Sequence, residues 1–283
     1  MSRLPESVPT APPAVSAEHR VASDIPFFSG LILLSAFYVV MLLSMLLAKA
    51  SFTSPTHLWE ALQSREIAYA ARLSLLSCTI TAILSLWVAV PIGYLMSRFR
   101  FRGKAFVDAV LDIPIVLPPL VIGLALLILF QTPPGRFVER MVPGGITFAI
   151  PSVILAQFMV AAAFAIRTMR VTFDGIPQRT EQVALTLGCS RSQAFWSVVI
   201  PESRQGLLTA GILAWARSLG EFGPILVFAG ATRMRTEVLP TSVFLELSIG
   251  NIEAAVAVSL MMVVLALVVL VIVRFYGVQR TVL

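Results

Sequence analysis

An all-α membrane protein with six transmembrane helices is the fold class the sequence predicts, and three observations predict it. The 283 residues are 58% hydrophobic and only 13% charged, whereas soluble domains carry about 25% charged residues. Six continuous apolar runs are each long enough to cross a hydrocarbon core of roughly 30 Å, which takes about 20 helical residues. The cationic residues are unevenly shared between the segments linking those runs. Backbone groups find no water partners in lipid, so spans must be helices or a closed barrel, and runs that do not alternate select helices.

The first 24 residues, rich in Pro, Ala and Ser without periodicity, predict a disordered cytoplasmic tail. A single transmembrane domain follows over residues 25–275, and 276–283 form a second cytoplasmic tail. The first apolar run, Ile25–Ala48, is too long for the h-region of a signal peptide and is read as a retained span. In the outer loop after it, Ser54 or Thr56 is a candidate cap for a short interfacial helix. The second span is Leu73–Met96. The basic inner turn RFRFRGK, residues 98 to 104, reads as a topology anchor.

The third span, Ala109–Phe130, contains DIPIVLPP, residues 112 to 119. Proline removes a donor and clashes with the preceding turn, so this span must begin irregularly, with Asp112 at a helix start. Either this is a bent lipid-facing helix, or its irregular backbone is sheltered by protein or a watery cavity, which makes Pro118 and Pro119 candidates for a pathway. The fourth span is Ile146–Ile166, the fifth Gly206–Ala229 and the sixth Ile252–Val273. With both termini inside, thirteen of the 21 Lys and Arg residues fall in inner segments and seven in outer loops, with Arg217 inside a span. That bias sets the orientation.

Composition also excludes functions. A pI near 10 reflects topology here, because no soluble basic face is present to bind nucleic acid. Cys78 and Cys189 are not placed to pair and have no metal spacing, and His19 and His57 lie outside the spans. Glu221 without a partner acid does not make an active site. No metal or cofactor is expected in this chain.

Two features call for explanation. Arg217 and Glu221, spaced i, i+4, sit in the fifth span beside Gly220, Gly223 and Pro224. A charge at mid-membrane costs at least roughly 2.5–3.5 kcal/mol on insertion scales. The glycines and the proline weaken the helix there. Either the pair neutralises itself and pins the span, or Arg217 lends positive potential to a transient anion path while Glu221 keeps binding weak. The second feature is the inner segment 167–204, far longer than a helix connection needs. Its sequence predicts a short helix stopped by Gly188, a capping box from Ser190 to Gln193, and a second helix running to Pro201.

EQVALTLGCSRSQAFWSVVIP in that segment resembles the EAA loop of type I ABC importer permeases, matching at Glu181, Ala184, Gly188, Val198, Ile200 and Pro201. Val183 stands where the pattern has alanine. The likeness extends through RSLGEFG and back through RFRGK and LPP, over most of residues 70–275. It implies a coupling helix that docks in a groove of a separate ATPase. It further implies two ATP-binding cassette subunits holding ATP and Mg, a second permease subunit and an external solute-binding protein. The chain itself has no G-x-x-x-x-G-K-[ST] segment. RSLGEFG looks like the molybdate/tungstate and sulfate permeases, so tetrahedral oxyanions are the implied cargo. Molybdate or tungstate is favoured, with a homodimer; sulfate or thiosulfate with a heterodimer, towards which the chain length leans, and an ion-gradient-driven carrier are the alternatives.

Overall fold

The computed structural model describes residues 25–52, 59 and 63–278. The 1–24 tail, His19, Ser54, Thr56, His57 and residues 279–283 lie outside the described residues. All regular structure among the described residues is helical. The chain divides into two compact units, Met1–Ala48 and Lys49–Leu283. The first contributes most of α1, Ile25–Phe52, which is apolar around its whole circumference, as a membrane span is.

In the second unit, α2 (Arg65–Arg98) and α6 (Ile150–Gly175) form the most extensive pair, and α10 (Arg204–Leu219) packs against both. The buried face of α2 is a ladder of small side chains: Ala70, Ser74, Cys78, Thr81, Ser85, Ala89 and Gly93. Lipid tails are as apolar as leucine, so membrane helices associate through close packing, which small residues allow. On α6 the matching residues are Ser152, Ala156, Ala161 and Ala165. α2 starts at Arg65, capped by Ser64, whose hydroxyl accepts from the Ile67 N–H at 3.5 Å.

Among the described residues, four helices are long and apolar enough to cross a membrane, the last being α13, Ile252–Val278. The third predicted span is a bent pair: α3, Lys104–Val116, and α4, Pro119–Gln131, meet at 111°. Irregularity was expected where this span begins, but it falls in the middle. Asp112 lies inside α3, not at a helix start. Leu117 and Pro118 each precede a proline and take extended ψ values of 139° and 134°, which no helix tolerates. Pro119 then opens α4, where a missing N–H costs nothing.

The fifth predicted span is also broken. α10 stops at Leu219, and α11 covers only Gly223–Phe228. Two further helices lie in the outer connections between the predicted spans: α5 (Pro133–Met141) and α12 (Leu239–Ser248). Both are tied down. Glu139 on α5 accepts from the backbone N–H groups of Ile146 and Thr147 at 2.9 and 3.0 Å. Arg233, in the connection to α12, pairs with Glu66 of α2 and with Glu246 of α12, the latter at 2.8 Å.

Candidate functional site

Two constructions stand out, one at the end of the bundle and one inside it. At the end, α6 continues to Gly175, so the stretch Arg167–Gly175 that the sequence assigns to the loop is helix. Two aspartates explain this. Arg170 pairs with Asp108 of α3, and Arg167 approaches Asp112 at 4.0 Å, so charges that end a hydropathy window are neutralised in place. These side chains and Asp174 line a cavity of about 280 Å³.

Beyond Gly175 come α7 (Gln178–Thr186), a turn, α8 (Arg191–Ala194), a single π-helical turn (Phe195–Val199) and α9 (Ile200–Glu202). The turn is a Schellman motif. The Gly188 N–H donates to the Leu185 carbonyl and the Cys189 N–H to the Ala184 carbonyl, both at 3.1 Å. Gly188 has φ +89°, a left-handed value that disfavours any Cβ. The capping box follows: the Ser190 hydroxyl accepts from the Gln193 N–H at 3.2 Å, and the Gln193 side chain accepts from the Ser190 N–H at 2.8 Å. The sequence predicts a second helix running to Pro201, which does not stay α-helical throughout. It widens into π geometry, with the Ile200 N–H bonded to the Phe195 carbonyl. Pro201 has no N–H to carry the α register past this point.

The loop is latched to the bundle by a residue the sequence reading took as a topology anchor. Arg98, the last residue of α2, donates from Nε to Glu181 Oε1 at 2.6 Å. Its two terminal nitrogens donate to the carbonyls of Phe173 (2.8 Å) and Ile176 (3.1 Å) at the end of α6, and the Phe173 carbonyl also accepts the Ile176 N–H at 3.2 Å. Tyr94 donates to Glu181 Oε2 at 2.9 Å and packs edge-on against Phe173 and Phe195. Glu181 and Ala184 therefore face the bundle. Gly188 stands at the tip with open space around it. Val198 and Ile200 are half-buried and Pro201 is exposed. The loop's outward surface carries Val183, Leu187 and Trp196, at 57%, 79% and 65% exposure.

Inside the bundle, the break between α10 and α11 spans Gly220, Glu221 and Phe222. Arg217 and Glu221 do pair, but across the end of a helix and not along a continuous one. The Glu221 side chain is 1% exposed and that of Arg217 30%. The guanidinium also lies 5.6 Å from the centre of the Phe164 ring, within cation–π range. Gly220 is exposed on the break. Gly223 and Pro224 cross α4 closely. A Cβ on Gly123 would come within 2.8 Å of Pro224 Cα, and one on Gly223 within 3.2 Å of Pro119 Cβ. The two broken helical segments thus meet at their breaks, and Pro119, Gly223 and Pro224 share that crossing with Pro118 beside them. Gln157, a residue the sequence reading passed over, donates to the Ser218 carbonyl at the break at 3.2 Å.

A helical bundle with two broken spans crossing each other, and a latched elbow at one end, has the build of a multi-pass membrane permease. The chain belongs to the family described as the binding-protein-dependent transport system inner membrane component, which it matches over residues 89–278, and it has the type I ABC permease fold. It is 38% identical over 160 residues to a molybdate/tungstate transport system permease protein, WtpB of Pyrococcus abyssi, a match spanning 56% of this chain and 60% of that protein. It is 30% identical over 249 residues to the sulfate transport system permease protein CysT of Escherichia coli, covering 87% and 89% of the two chains. A bacterial ABC transporter involved in the import of the acidic polysaccharide alginate contains a chain of the same fold. The TM-score is 0.73 over 91% of this chain and 96% of that one, at 16% identity.

Proposed function

We propose that this chain is the permease subunit of an ATP-driven importer for a tetrahedral oxyanion, with molybdate or tungstate the favoured cargo. The reading is carried by the latched elbow. Its tip is a left-handed glycine, and its outward face offers Val183, Leu187 and Trp196 to a protein partner. A pair of separate ATPase subunits, holding the ATP and Mg, grips this elbow at the Glu181–Pro201 loop. Closure of those subunits shifts α6, to which the elbow is joined, and α2, to which it is latched. The elbow and both termini then lie in the cytoplasm. A solute-binding protein delivers the anion to the opposite face, a second copy of the chain completes the pathway, and Arg217 with Glu221 gates it. The names of the similar proteins, molybdate/tungstate and sulfate permeases, support an oxyanion. The longer alignment to the sulfate protein keeps sulfate as the second reading.

The cargo is tested by reconstituting the chain with its ATPase and binding protein and measuring ATP-dependent uptake of labelled molybdate in competition with tungstate and sulfate. Tungstate is expected to compete at concentrations where sulfate does not. Sulfate competing equally well moves the assignment to sulfate, and uptake without the ATPase removes the reading altogether.

The elbow is tested at Gly188. A left-handed backbone costs roughly 1–2 kcal/mol for a residue with a Cβ, and more for a β-branched one. Gly188→Val should undo the turn, releasing the ATPase subunit and stopping uptake, with normal amounts of chain in the membrane. Gly188→Asn, which tolerates this backbone, should retain most of both activities. Co-purification of the ATPase with both variants provides the measurement.

A further inference from the structure

We propose that Gln157 is a positioning residue that holds the α10–α11 break in its open, non-helical form. The proposal rests on the reading of that break as the gate. Gln157 lies on α6, is 1% exposed, and reaches two other elements at once. Its Oε1 accepts from the Thr81 hydroxyl of α2 at 3.2 Å. Its Nε2 donates to the Ser218 carbonyl of α10 at 3.2 Å and touches Cys78 Sγ at 3.6 Å. A carbonyl only accepts and the Thr81 hydroxyl has a proton to give, so this amide orientation is the one that satisfies both partners.

The Ser218 carbonyl is the one that a continuous helix would bond to the N–H of Phe222, four residues on. Here the chain has turned away. Ser218 accepts instead from the Glu221 N–H at 3.2 Å, in the tighter i, i+3 pattern, and from Gln157. A donor presented from α6 compensates that carbonyl only while the helix is broken. Restoring the α-helical bond would direct the Ser218 carbonyl along the α10 axis and remove the pressure to bond sideways. Gln157 therefore favours one of two arrangements of the segment bearing Glu221. Thr81 meets the amide on its far side, and its hydroxyl also lies 3.4 Å from the Ile154 carbonyl, a second acceptor on α6.

Gln157→Met keeps the length of the side chain, removes both amide bonds and leaves no buried charge; Gln157→Leu serves as a second variant. The first readout is hydrogen exchange of the Gly220, Glu221 and Phe222 amides in the full chain in lipid nanodiscs, which needs no substrate. Interhelical hydrogen bonds in membranes correspond to roughly three- to twenty-fold changes in equilibrium. The exchange rates of these amides should shift by that factor in both variants, and Thr81→Val, which leaves the Ser218 bond in place, should stay within about twofold. The second readout is anion imported per ATP hydrolysed in the reconstituted complex, expected to fall by a similar factor for both Gln157 variants and not for Thr81→Val. Unchanged exchange at residues 220–222 overturns the proposal whatever transport does. A shift of the same size in Thr81→Val also overturns it, since Gln157 would then be ordinary packing between helices. Shifted exchange with a wild-type ratio of anion to ATP upholds the positioning role and removes the gate from the proposed function.

Discussion

Arg98→Ala is expected to abolish uptake while the chain still inserts in the membrane. The guanidinium is almost fully withdrawn from solvent, at 7% exposure, and besides the adjacent Ser97 hydroxyl it serves three more distant acceptors at once: Glu181, the Phe173 carbonyl and the Ile176 carbonyl. Removing one partner of a buried pair costs about 3–5 kcal/mol, because the other charge is left without compensation. Glu181 would keep only the Tyr94 hydroxyl, and the end of α6 would lose both of its side-chain caps. The nine-residue α7 has no stability of its own at that length, so it depends on this seat. The elbow should detach, and the ATPase subunit should no longer co-purify. Arg98→Lys should recover only part of the function, since one ammonium cannot reproduce a planar fork aimed at three oxygens. Arg100 and Arg102 are exposed in the same basic turn, and their alanine variants should fall within about 0.5 kcal/mol of the parent. Wild-type uptake by Arg98→Ala would show that the latch plays no part in coupling.

That Arg98 was legible only as one more positive charge shows where sequence reading stops. Its partner Glu181 lies 83 residues away, and nothing local marks the pairing. The same holds for Gln157, a single amide in an apolar run whose partners sit 76 and 61 residues distant. By contrast, the elbow was readable residue by residue. A left-handed glycine, a serine cap and a returning glutamine are chemistry within a few positions, and the structure forms each where the sequence places it. The spans fall between these cases. Their cores follow from hydropathy. Their ends do not, because Arg167 and Arg170 are answered by aspartates on α3 that a sliding window cannot see. The prolines at 118 and 119 announced a disruption. Its position and its angle of 111° follow from two successive extended residues and from the crossing of Gly123 with Pro224, which is a tertiary contact. The orphan-looking loops around α5 and α12 were likewise unreadable, since Glu139 and Arg233 tie them down through partners outside each helix's own pattern.

Arg217→Ala should be the second severe change, and its companion substitutions separate the two roles the pair admits. Glu221 is 1% exposed and has Arg217 as its cationic partner, so truncating the arginine strands a carboxylate inside the bundle. The expected cost is again about 3–5 kcal/mol, seen as a loss of folded chain in the membrane together with loss of uptake. Replacing both residues, Arg217→Met with Glu221→Leu, removes the stranded charge. Exchanges of a buried ion pair for apolar groups of similar volume are often neutral or stabilising, so the amount of folded chain should return. If the pair served packing alone, uptake would return with it. The asymmetry of the pair argues otherwise. The carboxylate is hidden, while the guanidinium remains 30% exposed over the face of Phe164, beside the break in the helix. A cation held in place by a concealed counter-charge offers an anion a weak, reversible contact, which is the kind of site conduction needs. Uptake by the double variant is therefore expected to stay at least roughly tenfold below the parent, a barrier difference of about 1.4 kcal/mol or more. Parental uptake in that variant would reassign both charges to holding α10 in place and leave the path of the anion to be sought at the crossing of α4 and α11.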